Sequence, residues 1–455
     1  MNFSTVVLAA GQGIRMQSAL PKVLHPIGGI PIIERIISTI SQLNPQQIIV
    51  IVGNQGEQLK NALADYPDVI FIEQKEQKGT GHAALQALPA LNLSENVLLF
   101  YGDMPLILME TLQRLLAIPK DTLGLITESL VEPAGFGRII RDQNGKVLRI
   151  VEEKDATIDE KKITETNAGF FRVPQQYLTK WLPKLTAHNT QKEYLLTDIV
   201  AMASADGVPI TTVSPRYHWE ALGINDKIQL ANVERIFQRL QAEQLMRQGV
   251  TLHDPARFDV RGNVSVGRDV VIDVNVIFEG QVTLGNGVNI GPNVVLKNSI
   301  VHDDVDILAN CVIEGAIIGK NCRIGPFARI RSGTELAEEA RIGNFVEIKA
   351  STVGTGSKIS HLSYIGDTTL GAGVNVGAGT ITCNYDGQNK HKTIIGDKVF
   401  IGSNSQLIAP LTVGEGVTIG AGTTVTRDVP AHHLVHNRLE HRTIANWNNK
   451  KDEKK

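Results

Sequence analysis

Arg331, Lys349 and His361 are the side chains whose spacing first suggests joint chemistry. Arg331 follows Ile330, Lys349 follows Ile348, and Leu336 and Ile342 keep a six-residue beat between them. If six residues make one flat side of a three-sided coil, 18 make one turn. The two cations then stack about 4.8 Å apart, the spacing of neighbouring strands. Like charges held directly opposite are destabilising. An anion between them reverses the sign, and a phosphate is the natural candidate. The plain alternative is two splayed, hydrated side chains. His361 lies two sides further on, with Tyr364 close by. A lone histidine is more often structural, but beside a phosphate site imidazole is a candidate general base, because it titrates near neutrality. Ser403 and Ala421 repeat the arithmetic, each two places after a lead residue (Ile401, Ile419). Small residues there leave a groove for an extended pantetheine arm, or simply serve packing.

A second group of reactive side chains stands near the amino terminus, in "LAAGQGIRMQSALPKVLHPIGGIP". Gly11 and Gly13 let backbone approach a ligand, and successive amides can cradle phosphate oxygens. The stretch lacks the third glycine of a dinucleotide fingerprint and the GK[ST] ending of an ATPase loop. Arg15 and Lys22 supply cations instead, as transfer between phosphates requires when charge builds on a leaving pyrophosphate. Asp103 ends the apolar run "NVLLFYGD" and Asn225 lies in "LGIND". Each is either a metal ligand or a helix cap.

Two kinds of element must position these groups. In the first half, "TVVLAA", "QIIVIVG", "DVIFIEQ" and "NVLLFYGD" alternate with helix-like segments such as 32–43 and 81–88. Continuous apolar strands between helices predict an α/β domain with a parallel, doubly wound, Rossmann-like sheet. Ligands of such sheets bind at the carboxyl ends of the strands. Residues 226–248 place Leu230, Val233, Phe237 and Leu240 on one face, uninterrupted by glycine or proline, which predicts a linking helix. From residue 258 the chain counts in sixes: Val260, Val266, Ile272, Phe278, Leu284, Ile290 and Leu296 keep strict phase. That period predicts a three-sided parallel β-helix of hexapeptide repeats, roughly ten turns long at about 18 residues per turn. The beat breaks at a polar loop carrying Asn384, Tyr385 and Asp386, and resumes at Ile395.

Composition bounds the rest. The 455 residues suffice for two or three domains. With 45 basic and 47 acidic residues, bulk charge does not suggest a nucleic-acid binder. Three cysteines without CxxC spacing argue against a disulfide framework and a zinc knuckle, and fit a reducing cytoplasm. The first strand lacks a basic flank and reads as buried strand, not as a signal peptide. No apolar run approaches the roughly 18 residues of a membrane span.

The stretch LxxGxGxRM followed by PK resembles the signature of sugar-1-phosphate nucleotidylyltransferases. Joined to hexapeptide repeats, residues 1–440 resemble the bifunctional bacterial N-acetylglucosamine-1-phosphate uridylyltransferase and glucosamine-1-phosphate acetyltransferase family. The resemblance implies a left-handed β-helix, a homotrimer, Mg2+, and acetyl-CoA and UTP as co-substrates. It implies acetylation of glucosamine-1-phosphate in the carboxy-terminal domain. Uridylyl transfer in the amino-terminal one would then yield UDP-N-acetylglucosamine, which feeds peptidoglycan and lipopolysaccharide precursors. Its domain limits would be 1–225, a helical linker at 226–248, a β-helix over 249–440 and a charged tail at 441–455. Matching positions assign Asp103 and Asn225 to the metal, with Arg15 and Lys22 catalytic. Leu8, Ala9, Ala10, Gly11, Lys22, Gln74, Gly79, Thr80, Tyr101, Gly102 and Asp103 would hold UTP. Gly137, Glu152 and Asn167 would contact the amino sugar. In the β-helix, Arg331, Lys349, Tyr364, Asn375 and Asn384 would bind sugar phosphate and His361 would be the base. Ala378, Asn384, Tyr385, Ser403, Ala421 and Arg438 would contact acetyl-CoA. Such sites lie between subunits, so the loop at Asn384 and Tyr385 is expected to leave the coil and cross a subunit boundary. Two rivals remain at this point: a single-function nucleotidylyltransferase whose β-helix only oligomerises or senses metabolites, and a non-enzymatic assembly subunit built from the same modules.

Overall fold

The computed structural model describes residues 2–54, 56–92, 94–437, 442–445 and 447. Arg438 lies outside the described residues. The chain divides into two compact units, Met1–Phe237 and Gln238–Lys455.

The first unit is built on strands β1 (Phe3–Ala9), β2 (Gln47–Val52), β3 (Val69–Glu73), β4 (Asn96–Tyr101), β5 (Leu123–Ser129), β6 (Arg138–Arg141), β7 (Val147–Val151), β8 (Glu165–Pro174) and β9 (Ile210–Val213). Their order is β9-β5-β8-β4-β1-β2-β3, with a β6–β7 hairpin attached to β8. Strands β4, β1, β2 and β3 run parallel. The all-parallel expectation fails at β8, which runs antiparallel to both β4 and β5. An apolar run buried on both faces has the same composition whichever way it points, so composition could not reveal that reversal.

Period-two alternation divides each central strand between two cores. Val7, Val50, Leu98 and Phe100 pack on one face with Ile33, Ile36 and Ile37 of helix α1 (Ile32–Ser41). Val6, Leu8, Ile49, Ile51, Val97 and Leu99 pack on the other with Ala83, Ala84 and Ala87 of helix α2 (Thr80–Ala87). The sheet is therefore covered on both sides, as its uninterrupted apolar strands demand. A long helix spans Lys227–Arg247. Its Val233 and Phe237 belong to the first unit's core, whereas Ala242 and Leu245 belong to the second's.

The second unit is a left-handed parallel β-helix. One ladder of 11 short strands forms one side. Two further ladders, joined through Val295–Val301, form the others. Lead residues Val260, Ile272, Phe278, Leu284, Ile290 and Leu296 are buried in a single core. Adjacent coils are 17 or 18 residues apart, as in Asn289↔Asp306 and Arg323↔Arg341. At the interrupted coil Asn375 pairs with Phe400. The excess is the polar loop, bulged out at a corner while the ladders stay in register. Corners take left-handed backbone, mostly at Asn and Asp such as Asn275, Asn293 and Asp304, whose short polar side chains tolerate it. One corner instead carries Phe327, Phe345 and Leu362, all at positive φ and all exposed.

Candidate active sites

In the first unit, the carboxyl ends of β1 and β4 and the start of α2 open onto a cavity of about 700 Å³. Leu8, Ala9, Ala10, Gly11, Arg15, Lys22, Gln74, Gly79, Thr80, Tyr101, Gly102, Asp103 and Asn225 all line it. The two loop glycines differ in purpose. Gly11 has open space beside it, whereas a Cβ on Gly13 would come within 2.8 Å of Lys22 Cβ. Gly13, at φ +61, is thus required for Lys22 to sit where it does.

Lys22 Nζ lies 2.5 Å from Asp103 Oδ2 and 3.3 Å from Asn225 Oδ1. The other carboxylate oxygen, Asp103 Oδ1, is buried without a hydrogen-bond partner. Hard oxygen donors with one atom unpaired are the donor set Mg2+ takes, since it keeps water and phosphate oxygens for its remaining positions. Among the described residues no cluster of three or more His, Cys, Asp or Glu could hold a metal. The residues present therefore fit a cation shared with a phosphate, not an all-protein cage.

Gln74 is buried, donating to Gly79 O at 3.2 Å and standing 2.9 Å from His82 Nδ1. Gly79 adopts φ +105, and a Cβ there would lie 2.5 Å from Tyr194 O. Gly137, Glu152 and Asn167 lie near one another but are not among the residues lining this cavity. Asn167 N donates to Gly137 O at 2.9 Å, and Asn167 sits where a bulge shifts β8 against β5. Glu152 accepts from Thr197 Oγ1 at 2.9 Å. Burial holds its carboxyl above the ordinary glutamate range. Neighbouring Glu153 instead pairs with buried Arg138 at 2.6 Å, a structural bond. Gln77, which sequence reasoning missed, lines the cavity and donates to Ala10 O at 2.8 Å. Its only signal was membership of the polar turn that also carries Gln74 and Gly79.

In the β-helix, Ile330 pairs with Ile348, and Arg331 N donates to Ile348 O at 2.8 Å, so Arg331 and Lys349 occupy one corner in successive coils. They are not the uncompensated pair that spacing implied. Arg331 Nη1 lies 2.8 Å from Glu347 Oε1, and Lys349 Nζ lies 3.4 Å from Asp367 Oδ2. Asp367 also accepts from Asn384 Nδ2. Lys390, also missed from sequence, stands close to Lys349, Asp367 and Arg331, so a third cation faces the same corner. The corner thus gathers Arg331, Lys349 and Lys390 against two carboxylates. Gly366 makes it possible, since a Cβ there would meet Tyr364 Oη at 2.5 Å and Asn384 Nδ2 at 2.8 Å.

The loop closes on itself through Tyr385↔Lys390 and His391 N donating to Asn384 O. This corrects the reading that it carries Asn384 outward. Asn384 is buried against its own coil. Tyr385 is exposed, with its hydroxyl donating to Gly387 O at 2.6 Å.

His361 ends its strand at another corner, paired with Asn344 one coil below. Its Nδ1 is 2.7 Å from Asn344 Oδ1. An amide oxygen accepts, so Nδ1 carries the proton and Nε2 keeps its lone pair. Hydrogen bonds run from Gly379 N to His361 O, from Asn404 N to Ala378 O, and from Gly422 N to Ser403 O. His361, Ala378, Ser403 and Ala421 therefore form one column along a corner. In register, Gly366 stands beside Lys349, and His361 lies five residues before it. At ~3.3 Å per residue, the two backbones stand at opposite ends of one side, roughly 16 Å apart along the chain, and the side chains reach into that interval. Asn375 is on the His361 ladder, a different side from Arg331 and Lys349.

Residues 5–142 match the MobA-like NTP transferase domain, residues 260–353 the GMPPB C-terminal domain, and residues 392–427 the six-repeat bacterial transferase hexapeptide. Fold, strand-end cavity and hexad corners thus define a nucleotidyltransferase joined to a hexapeptide-repeat transferase. Relatives named bifunctional protein GlmU align along almost the whole length. The one from Marinobacter nauticus is 51% identical, covering 97% of this chain and 97% of its own. That from Nitrosospira multiformis is 53% identical, covering 97% and 96%. That from Stutzerimonas stutzeri is 52% identical, covering 98% and 99%. The chain belongs to the GlmU family of bifunctional proteins.

Proposed function

We propose that each unit carries one step of UDP-N-acetylglucosamine synthesis. In the β-helix, the amine of glucosamine-1-phosphate attacks the acetyl-CoA thioester carbonyl and the CoA thiolate leaves. His361 Nε2 takes the amine proton, since an ammonium has no lone pair to attack with. Arg331, Lys349 and Lys390 hold the sugar phosphate, with Tyr364 and Asn384 beside it. Ala378, Ser403 and Ala421 leave the corner shallow enough for an extended pantetheine arm along the His361 column, and Tyr385 flanks it.

In the first unit, the phosphate oxygen of N-acetylglucosamine-1-phosphate attacks the α-phosphorus of UTP and pyrophosphate leaves. Arg15 and Lys22 offset charge on the phosphates. Gln74, Gly79 and Thr80 receive the base, and Gly137, Glu152 and Asn167 the amino sugar. Mg2+ held by Asp103 and Asn225 would neutralise phosphate charge.

The exposed apolar corner beside His361 favours sites completed between copies of the chain, as in a trimer. The exposed Phe327–Phe345 stack, with ring centroids 5.2 Å apart, flanks the His361 corner and supplies apolar surface for such contact. Among the described residues no helix is long and apolar enough to cross a membrane. Free cysteines Cys311, Cys322 and Cys383 suit a reducing cytoplasm.

The observation that carries this reading is that two charged sites are assembled in two separate units. Thiol release from acetyl-CoA with glucosamine-1-phosphate and pyrophosphate release from UTP with the acetylated sugar test it. His361→Ala is expected to abolish only the first, and Lys22→Ala only the second. Loss of both from either change overturns the reading.

A further inference from the structure

We infer that Lys22 is a resident counterion of the metal site, which a divalent cation must displace on binding. The proposal rests on the assignment of Asp103 and Asn225 as metal ligands. Lys22 Nζ contacts both, at 2.5 Å and 3.3 Å. The Lys22 and Asp103 side chains are only 15% and 14% exposed. A carboxylate so enclosed needs an opposite charge, and the lysine supplies it. Among the described residues no other side chain is hydrogen-bonded to the Asp103 carboxylate. Its second oxygen has no partner, and Asn225 N is engaged elsewhere, with Gln229 Oε1 at 2.7 Å.

A divalent cation held by Asp103 and Asn225 would lie within a few ångströms of the ammonium that now contacts both, and repulsion between the two cations favours the departure of the ammonium. Binding of the metal is therefore an exchange. Asp103 and Asn225 would hold the metal, and the Lys22 ammonium would turn on its four-carbon stem toward the cavity, where phosphate oxygens would receive it. Gly13 packs against Lys22 Cβ, not the ammonium end, so the pivot is fixed while the charge moves. One residue would thereby serve two ends: keeping the acidic site closed before loading and meeting the triphosphate after it. The lysine then lowers the affinity of the nucleotide-free protein for metal, and loading of metal favours loading of phosphate.

The experiment measures Mn2+ binding to the full-length, nucleotide-free protein by electron paramagnetic resonance, beside thermal melts in chelator and in Mn2+. Lys22→Met is expected to bind Mn2+ at least tenfold more tightly than the unaltered protein. It should melt at a lower temperature in chelator and gain more from Mn2+. Lys22→Arg, which keeps the charge, should retain near-native affinity. Asp103→Asn should lose binding. If Lys22→Met folds by its melt yet binds Mn2+ no more tightly while Asp103→Asn still loses it, the counterion proposal falls and the metal assignment stands. If Asp103→Asn binds Mn2+ like the unaltered protein, the metal assignment itself falls, and this inference with it.

Discussion

Asn344 governs which nitrogen of His361 can act. Its amide oxygen holds Nδ1–H at 2.7 Å, so losing it frees the ring to adopt the other tautomer and to rotate. Asn344→Ala is expected to lower kcat for acetyl transfer roughly tenfold to a hundredfold, a share of what a placed base contributes, with KM for glucosamine-1-phosphate little changed. Asn344→Asp keeps the acceptor and adds a negative charge that favours imidazolium. The acidic limb of its pH–rate profile should move to higher pH, a shift a merely structural residue would not produce. Glu152 makes a second residue-scale prediction. Burial raises its carboxyl pKa in the folded state, so the folded protein binds the proton more tightly than the unfolded chain. Its contribution to stability is present at low pH and fades as pH rises from the ordinary glutamate pKa through the raised one. Glu152→Gln should remove that slope, raising Tm relative to the unaltered protein at pH 8. If Glu152 meets the amino sugar as proposed, the change should also weaken pyrophosphate release. Melts across pH and the two product assays check both effects.

At the scale of elements, glycines decide how closely strands, turns and side chains approach. Gly79 begins α2 at φ +105, with the carbonyl of Tyr194 where a Cβ would go. Gly79→Ala should cost about 2 kcal/mol through backbone strain and collision. It should reduce pyrophosphate release while leaving thiol release intact, because the β-helix has no part in that turn. Differential unfolding and both assays on one preparation check this. The polar loop belongs to the same scale. It is inserted at a corner, where a hexad coil can accept extra residues without losing register. That placement answers why a regular repeat admits it: the ladders pair Asn375 with Phe400 across the insertion, while the loop brings Asn384 to Asp367 and Lys390 to Lys349.

At the scale of the molecule, two units with separate cores carry separate chemistry, so changes in one are expected to spare the other. The uridylyl cavity is lined within one unit of one chain. The acetyl site is different in kind, because His361 and the cation corner stand at opposite ends of a prism side. In the proposed trimer a second copy would complete that side, with the exposed Phe327, Phe345 and Leu362 corner offering apolar area for the contact.

The sequence by itself determined the period of each half, and with it the elements: a two-sided apolar strand and a six-residue beat each have one way to bury their side chains. It also determined that Arg331 and Lys349 share a corner, and that Asp103 follows closely on a strand, because a regular register turns counting into geometry. Only the tertiary structure decided the reversed strand β8, the carboxylates that neutralise Arg331 and Lys349, the inward turn of Asn384, and the contacts of Lys22, Gln77 and Lys390. Those depend on pairing direction and on side chains far apart in the chain, about which local periodicity carries no information.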